Sequence, residues 1–510
     1  MSDLIVLHPR DNIAVAAQSF APGVTIVTSD GPLTFLDEVP FGHKVSTRPI
    51  GAGEPVRKYG EIIGFATADL PVGTHVHVHN LSAEGFERHG GTSGRLSTQP
   101  VAVAGATVEP RTFEGYLRAD GRAGTRNYVA IISTVNCSAS TSRFIATEAA
   151  GLLADFPNVD GVVALTHKGG CGMQYEGPDH EQLERVLAGF AGHPNIGAYL
   201  MVGLGCEDGQ ITHLLDKHGH EMQPTRSRPT MTIQDRGGVR NTVAAGVDAL
   251  REFLPEVDAA RRVELPASTL ILGTQCGGSD GYSGITANPA LGAAADRIVA
   301  QGGTAILGET PEIYGAEHIL IDRAVSPEVG EALLERIRWW EGYTAALGAN
   351  LNNNPSPGNK TGGLTTIYEK SLGAIAKGGT TPMTAVYRYA EAVSAKGMVV
   401  MDTPGYDPVS MTGIVAGGAN VSVFTTGRGS VYGCKPAPCL KVATNSITYH
   451  RMTDDMDINA GVILDGTPVD EVGAQIFEEI LLVASGKPTK SESIGLGDDE
   501  FAPWSIGPVL

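Results

Sequence analysis

Residues 115–142 read GYLRADGRAGTRNYVAIISTVNCSASTS. A charged, glycine-rich turn, DGRAGTRN, passes into the apolar run Tyr128 to Ser133, which stops at Asn136-Cys137 before an Ala- and Ser-rich segment. That pattern predicts a buried strand followed by a strand-to-helix corner. The phrase returns three times: GVVALTHKGGC ends at Cys171, AYLMVGLGC at Cys206 and STLILGTQC at Cys276. Ligands of open parallel α/β sheets sit outside the carboxyl ends of the strands. Four such strands in one sheet would therefore bring Cys137, Cys171, Cys206 and Cys276 to one site. Taken singly, each cysteine reads equally well as a small buried hydrophobe. Four of the chain's six cysteines at equivalent positions favour the shared site.

The chain has 510 residues, too many for one ordinary core, so about two to four domains are expected. Its composition, 42% hydrophobic and 18% charged with 66 glycines, is that of a soluble globular protein rich in tight turns. A formal net charge of −19 repels phosphates, which argues against nucleic-acid and acidic-membrane partners. A local cluster of Arg and Lys can still hold a small anion. The N-terminus MSDLIVLHPRDN lacks the basic and long apolar regions of a signal peptide. No apolar run reaches the roughly 20 residues that span a bilayer. A cytoplasmic location is expected, and in a reducing compartment the cysteines are candidates for metal or catalytic roles rather than disulfides.

The expected fold class is α/β: a small N-terminal all-β domain, a long linker, then a mostly parallel α/β body. Short β-like runs between Gly and Pro turns mark residues 1–81 as the all-β unit. Within it His75, His77 and His79 alternate in HVHVHN, so their side chains share one face of a strand and could meet a metal or a carboxylate. Lys44 and Lys58 lie nearby, with solvated surface as their plain alternative. Residues 82–111 read as a linker rich in Gly, Ser, Thr and Ala, able to carry the first unit well away from the second. From 112 onward strands alternate with helical patterns such as HEQLERVLAGFAG and NTVAAGVDALREFLPEV, as in right-handed crossovers of a parallel sheet. The body divides into regions 112–265 and 266–510.

No GxGxxG opens a helix after a first strand and no GxxxxGK[ST] occurs, which disfavours nucleotide binding. The cysteines lie tens of residues apart rather than in CxxC pairs, so no zinc ribbon is present and any site is assembled by the fold. Thiolates select soft or borderline metals and iron–sulfur clusters. His167, Glu207 and Asp280 stand close in sequence to the cysteines and are their natural companions, although each alone is as readily a turn or cap residue. Three loops look like anion sites: Thr426 and Arg428 in TTGRG, Lys360 in SPGNK, and Asp120, Arg122, Arg126 and Asn127 in the opening turn. Arg suits bidentate carboxylate recognition.

GYLRADGRAGTRNYVAIISTVNC, HKGGCGM, GLGCE, QCGGSDGYSGITANPA, NPSPGNKTGGL, FTTGRG and MDINAG together resemble the altronate/galactarate dehydratase family, in order and over nearly the whole chain. GHKV, KYGEIIG and HVHVHN resemble that family's β-clip (SAF-like) module. The resemblance implies a hydro-lyase that converts a sugar acid to a 2-keto-3-deoxy acid. It also implies dependence on ferrous iron, a Rossmann-like C-terminal region, and a homodimer built through the middle region. HVHVHN resembles the altronate enzymes, whereas SPGNK and VFTTGRG are also close to the galactarate enzymes, which leaves galactarate as the alternative substrate. Cys434 and Cys439 fall outside the pattern. Iron would be held by some of Cys137, Cys171, Cys206 and Cys276, as a single ion or a cluster. Arg428 and Lys360 would orient the acid, with His75, His77, His79 and Lys44 closing over it, and His167 and the three module histidines are the candidates for the general base. A sugar-acid sensor without turnover is the non-enzymatic alternative.

Overall fold

The computed structural model describes residues 3–29, 31–84, 109–219, 222 and 230–506. Most of the expected linker, residues 85–108, lies outside the described residues. The chain forms an N-terminal β module and two parallel sheets, each flanked by helices.

In the module, Leu4–Ile5, Ile13–Ala16, Lys44–Ser46 and His75–Val76 make one antiparallel sheet. Pro55–Lys58, Glu61–Ala66 and Leu81–Ser82 make a second. The histidine strand is shorter than the alternation predicts, because the chain turns at His77. Asn80 fixes that turn by accepting from the His77 N–H at 2.9 Å and donating to the His75 carbonyl at 2.9 Å. The module does not stand away from the body. Its Ile13, Val56, Ile63 and Val76 share one buried core with Leu307, Ile313, Leu372 and Met398.

The middle sheet is parallel, in the order Gly161–Leu165, Tyr128–Ser133, Ile196–Gly203, Thr230–Thr232. Every residue of Tyr128–Ser133 is buried, as expected where helices cover both faces. Val129 and Ile131 face the helices Ala139–Ala150 and Val239–Asp258. Ala130 and Ile132 face Pro178–Ala191. That last helix also packs against Asp407–Ala416 of the next region, so closely that a Cβ on Gly189 would lie 2.4 Å from the Ala416 carbonyl oxygen.

The C-terminal sheet has seven parallel strands in the order Met383–Tyr387, Gly397–Met401, Thr304–Leu307, Ile271–Cys276, Val421–Thr426, Cys439–Ala443, Ile458–Asn459. The helices Ala287–Ala300 and Val469–Ala484 cover one face. The four cysteine-bearing strands thus do not share a sheet. Three belong to the middle sheet, and Ile271–Cys276 is central in the other. The break comes at Val263–Pro266, which turns back to pair antiparallel with Thr112–Leu117 and closes the middle region before the fourth phrase begins.

Candidate active site

The chain builds the C-terminal sheet outward from Ile271–Cys276 on one side, then returns to its other side with Val421–Thr426. This reversal is a topological switch point, where the loops after adjacent strands diverge and leave a crevice. The loops are tied together there: the Gly427 and Arg428 N–H groups donate to the Gly278 carbonyl at 3.1 and 2.8 Å, and Gly277 donates to Thr425 at 3.1 Å. Asp280 lies beneath, buried, accepting from Thr444, Asn445, Ser283 and the Tyr282 N–H. Burial raises its pKa, and its lone pairs are occupied by the fold. As an expected metal ligand it therefore acts instead as the post that fixes the Gly427 turn.

Cys276 ends the central strand in a buried ionic cluster. Its sulfur lies 2.8 Å from Lys377 Nζ, 3.4 Å from Glu312 and 3.6 Å from Glu309. Lys377 is also ion-paired to Glu309, and Lys370 Nζ holds Glu312 at 2.6 Å. Glu309 is a non-glycine residue at φ 60° and ψ 55°, a left-handed conformation that costs energy and clusters at functional sites. Burial and the neighbouring Glu312 push its carboxyl up to about 8 despite Lys377. Glu312 is lowered even though burial alone would raise it, because Lys370 and Lys377 outweigh that burial. Lys377 is raised although burial opposes it, because the thiol and both carboxylates surround its ammonium. The ammonium is the form the geometry supports for Lys377, since three acidic groups converge on it.

The module docks onto this end of the sheet. Lys44 and Lys58, both fully buried, share Glu369 at 2.9 Å each. Burial and the adjacent Lys58 lower Lys44 to about 8, against the pull of Glu369, whereas Lys58 is raised. One carboxylate cannot fully compensate two desolvated ammoniums. Lys44 also donates to the Gly363 carbonyl at 2.5 Å and Lys58 to Gly281 at 3.3 Å. Their charge is spent on docking, so the expected substrate contact finds neither lysine free. The backbones touch: a Cβ on Gly281 or Gly363 would lie 2.0 or 2.3 Å from the Gly42 carbonyl oxygen.

At the outer edge of this seam four histidines meet. His43 Nδ1 and His75 Nε2 are 3.0 Å apart, the His75 and His77 rings stack at 5.4 Å, and His79 lies 5.5 Å from His75. His43 Nε2 is 3.1 Å from the Thr361 carbonyl, on the turn that follows Lys360. Arg428 flanks the same turn, its Cδ 3.3 Å from a Cβ built on Gly362. Arg428 is exposed and Lys360 half-buried, and neither cationic head group is tied to an acidic partner among the described residues. Thr426 is buried, its hydroxyl accepting from the Gly429 N–H.

The other expected site residues lie elsewhere. Cys137, Cys171 and Cys206 are exposed at the carboxyl ends of adjacent middle strands. Glu207 accepts from Thr134, Leu204 N and Gly205 N, closing the loop that presents Cys206. His167 is 2.9 Å from the Ser133 carbonyl through Nε2 and accepts from Gly169 N through Nδ1, so neither nitrogen is free to act as a base. Arg126 directs all its N–H groups to Glu492, Thr125, Val483 and Lys487, and Asn127 binds the Asn158 and Val257 carbonyls. Both clamp the fold and have no donor left for a substrate. Sequence reading missed Glu309, Glu312, Lys370, Lys377 and Glu369. The signal was present in ETPE and in EKSLGAIAKGG, where Glu and Lys stand among small apolar residues.

Three family models match: "Altronate/galactarate dehydratase SAF domain" over residues 2–84, "D-galactarate dehydratase/Altronate hydrolase, second domain" over 115–258, and "D-galactarate/Altronate dehydratase, C-terminal" over 267–509. Altronate dehydratase of Bacillus subtilis (strain 168) is 33% identical over 495 residues, 96% of this chain and 97% of that protein. Altronate dehydratase of Escherichia coli (strain K12) is 34% identical over 489 residues, 96% of each. Galactarate dehydratase (L-threo-forming) of the same organism is 37% identical over 516 residues, 99% of this chain and 97% of that protein. Over its full module-and-two-sheet architecture, the chain belongs to the altronate/galactarate dehydratase family and is a hydro-lyase.

Proposed function

We propose that the chain removes water from D-altronate to give the 2-keto-3-deoxy acid, at the seam between the module and the C-terminal sheet. The observation that carries this reading is the pair Arg428 and Lys360, cations without an acidic partner among the described residues, beside the turn that receives His43. A guanidinium binds a carboxylate bidentately, and fixed positive charge there stabilises the enediolate that forms when the neighbouring C–H proton leaves. His79, exposed beside His75, takes the C2 proton as general base. The C2–H electron pair becomes the C2=C3 bond, the C3 hydroxyl departs with a proton as water, and the enol product tautomerises to the keto acid. Lys44 and Lys58 are both held by Glu369 in the docking seam, which leaves this turn with one cationic pair. One pair suits an aldonate, with a single carboxylate, better than an aldarate, with two.

Ferrous iron, implied by the resemblance, belongs to the proposal as Lewis acid for the departing hydroxyl. Of its four expected ligands, Cys276 is enclosed in another sheet. Cys137, Cys171 and Cys206 form no set with all three sulfurs within 4.8 Å among the described residues. A single tetrahedral ion with metal–sulfur bonds of about 2.3 Å needs its ligands roughly 3.8 Å apart, so the three thiols as placed do not close on one ion. No step above depends on it. No helix among the described residues is long and apolar enough to cross a membrane, and three exposed free thiols suit a reducing cytoplasm. A homodimer, carried over from the family resemblance, completes the proposal.

The test is an anaerobic assay with ferrous iron and reductant, comparing D-altronate with galactarate by formation of the 2-keto-3-deoxy product. A higher kcat/KM for D-altronate, falling at least 100-fold in Arg428→Ala, supports the reading. Preference for galactarate overturns the choice of acid, and an unaffected Arg428→Ala overturns the site.

A further inference from the structure

Among the described residues two sets of three metal-capable side chains have their ligand atoms within 4.8 Å of one another: Cys276–Glu309–Glu312 and His43–His75–His77. The first is already filled, because the Lys377 ammonium sits against its sulfur and one of its carboxylates. The second has no cation. His43 precedes the strand Lys44–Ser46, while His75 opens and His77 follows the strand His75–Val76, and the pairing of these two strands draws the three rings together.

We infer that His43, His75 and His77 form a binding site for one divalent transition-metal ion, with a coordination position left open. Two features support it beyond proximity. His43 is oriented as metal-bound imidazoles are: its Nε2 meets the Thr361 carbonyl at 3.1 Å, which fixes the N–H on that side and leaves the Nδ1 lone pair aimed at His75. His77 Nδ1 is buried and makes no hydrogen bond. A buried polar nitrogen without a partner costs free energy, and a cation in the cluster would satisfy it.

Asn80 holds the backbones of His75 and His77 on both sides of the turn, so the module supplies the rigid frame that a metal site needs. Neutral imidazole selects zinc, ferrous iron, cobalt, nickel or copper over magnesium or calcium. Three histidines with a fourth position open is a catalytic rather than a structural arrangement. His79, 5.5 Å from His75 and exposed, stands beside that opening. The site is distinct from the thiols assigned above, and its existence does not depend on the dehydratase reading.

The experiment is anaerobic titration of the metal-depleted full-length protein with Co2+, followed by visible absorption. One equivalent should bind with d–d bands and no thiolate-to-cobalt charge transfer, and His77→Ala should weaken that equivalent at least tenfold. In the unmutated protein, Zn2+ should shift the ring-nitrogen resonances of His43, His75 and His77, which guards against a variant that merely misfolds. The inference is overturned if every bound equivalent carries the thiolate band, if His77→Ala binds as tightly as the parent, or if Zn2+ leaves the three rings unmoved.

Discussion

The ammonium nitrogen of Lys377 lies 2.8 Å from the sulfur of Cys276, and both side chains are sealed inside the protein. A lone thiol would not justify a desolvated cation. The justification is the acid pair beside it: Glu312, lowered by Lys370 and Lys377, carries the negative charge, and Glu309 accepts from the same ammonium. Removing the ammonium therefore strands two buried acids. Lys377→Met should cost about 3–5 kcal/mol, the usual penalty for breaking a buried ion pair from one side. Glu309→Gln should cost only about 1 kcal/mol, because burial already favours the uncharged carboxyl and the amide keeps its shape. Urea unfolding followed by circular dichroism checks both. A Lys377→Met variant as stable as the parent would show that the cluster holds no net charge for the lysine to balance.

The module's position depends on glycine at two places. The Gly281 and Gly363 backbones face the Gly42 carbonyl so closely that a methyl group would overlap it, and Gly363 also has φ +102°. Gly281→Ala should force the module off its seat without disturbing the seven-stranded sheet, since backbone cannot yield as a side-chain tip can. The expected outcome is loss of turnover, with faster proteolysis of the segment joining module to body. Unchanged protease sensitivity, with activity intact, would show that the docked arrangement does not matter for catalysis.

The parallel body and the β module could be read from the chain because apolar periodicity and turn residues are local signals. Which strands share a sheet is not local. The four cysteine phrases look alike, and nothing within STLILGTQC announces that Cys276 lies between Thr304–Leu307 and Val421–Thr426 rather than beside Cys206. The buried ion clusters were hidden for a similar reason. Lys44 and Glu369 are 325 residues apart, and Lys377 and Cys276 are 101 apart. A lysine read alone is a solvated surface residue; only the fold shows that its partner is buried with it. Arg126 failed in the opposite sense. Its charged, glycine-rich surroundings suggested an anion site, but its anion is Glu492 of the same chain.

Arg126 supplies a prediction that separates structure from binding. It joins the start of the middle sheet to the C-terminal segment through Glu492 at 2.7 Å and the carbonyls of Val483 and Lys487. Lysine cannot reproduce that fork. Arg126→Lys should lower stability by about 2–4 kcal/mol, within the range for disrupting a buried hydrogen-bonded charge. KM for the sugar acid should stay within twofold of the parent in the fraction that remains folded. A KM raised tenfold without loss of stability would return Arg126 to the substrate site.

Stability should depend on pH in two opposed ways. His167 and His193 are buried and held at about 4 and about 3, chiefly by desolvation, against about 6.5 in the unfolded chain. Between those values the unfolded state binds more protons than the folded one, so stability rises with pH from about 4 to 6.5. At pH 5 the deficit relative to neutrality is roughly 2 kcal/mol for each histidine. Glu309 has the reverse sign. Its folded carboxyl, raised to about 8, keeps its proton where the unfolded one has lost it, so its contribution falls as pH rises from about 4.5 to 8. Urea midpoints measured from pH 5 to 8 should therefore climb steeply to about pH 6.5 and then flatten or decline. In Glu309→Gln the decline should disappear while the acid limb remains. If the substitution leaves the upper limb unchanged, Glu309 is not the group that titrates there, and the charge in the Cys276 cluster is partitioned differently.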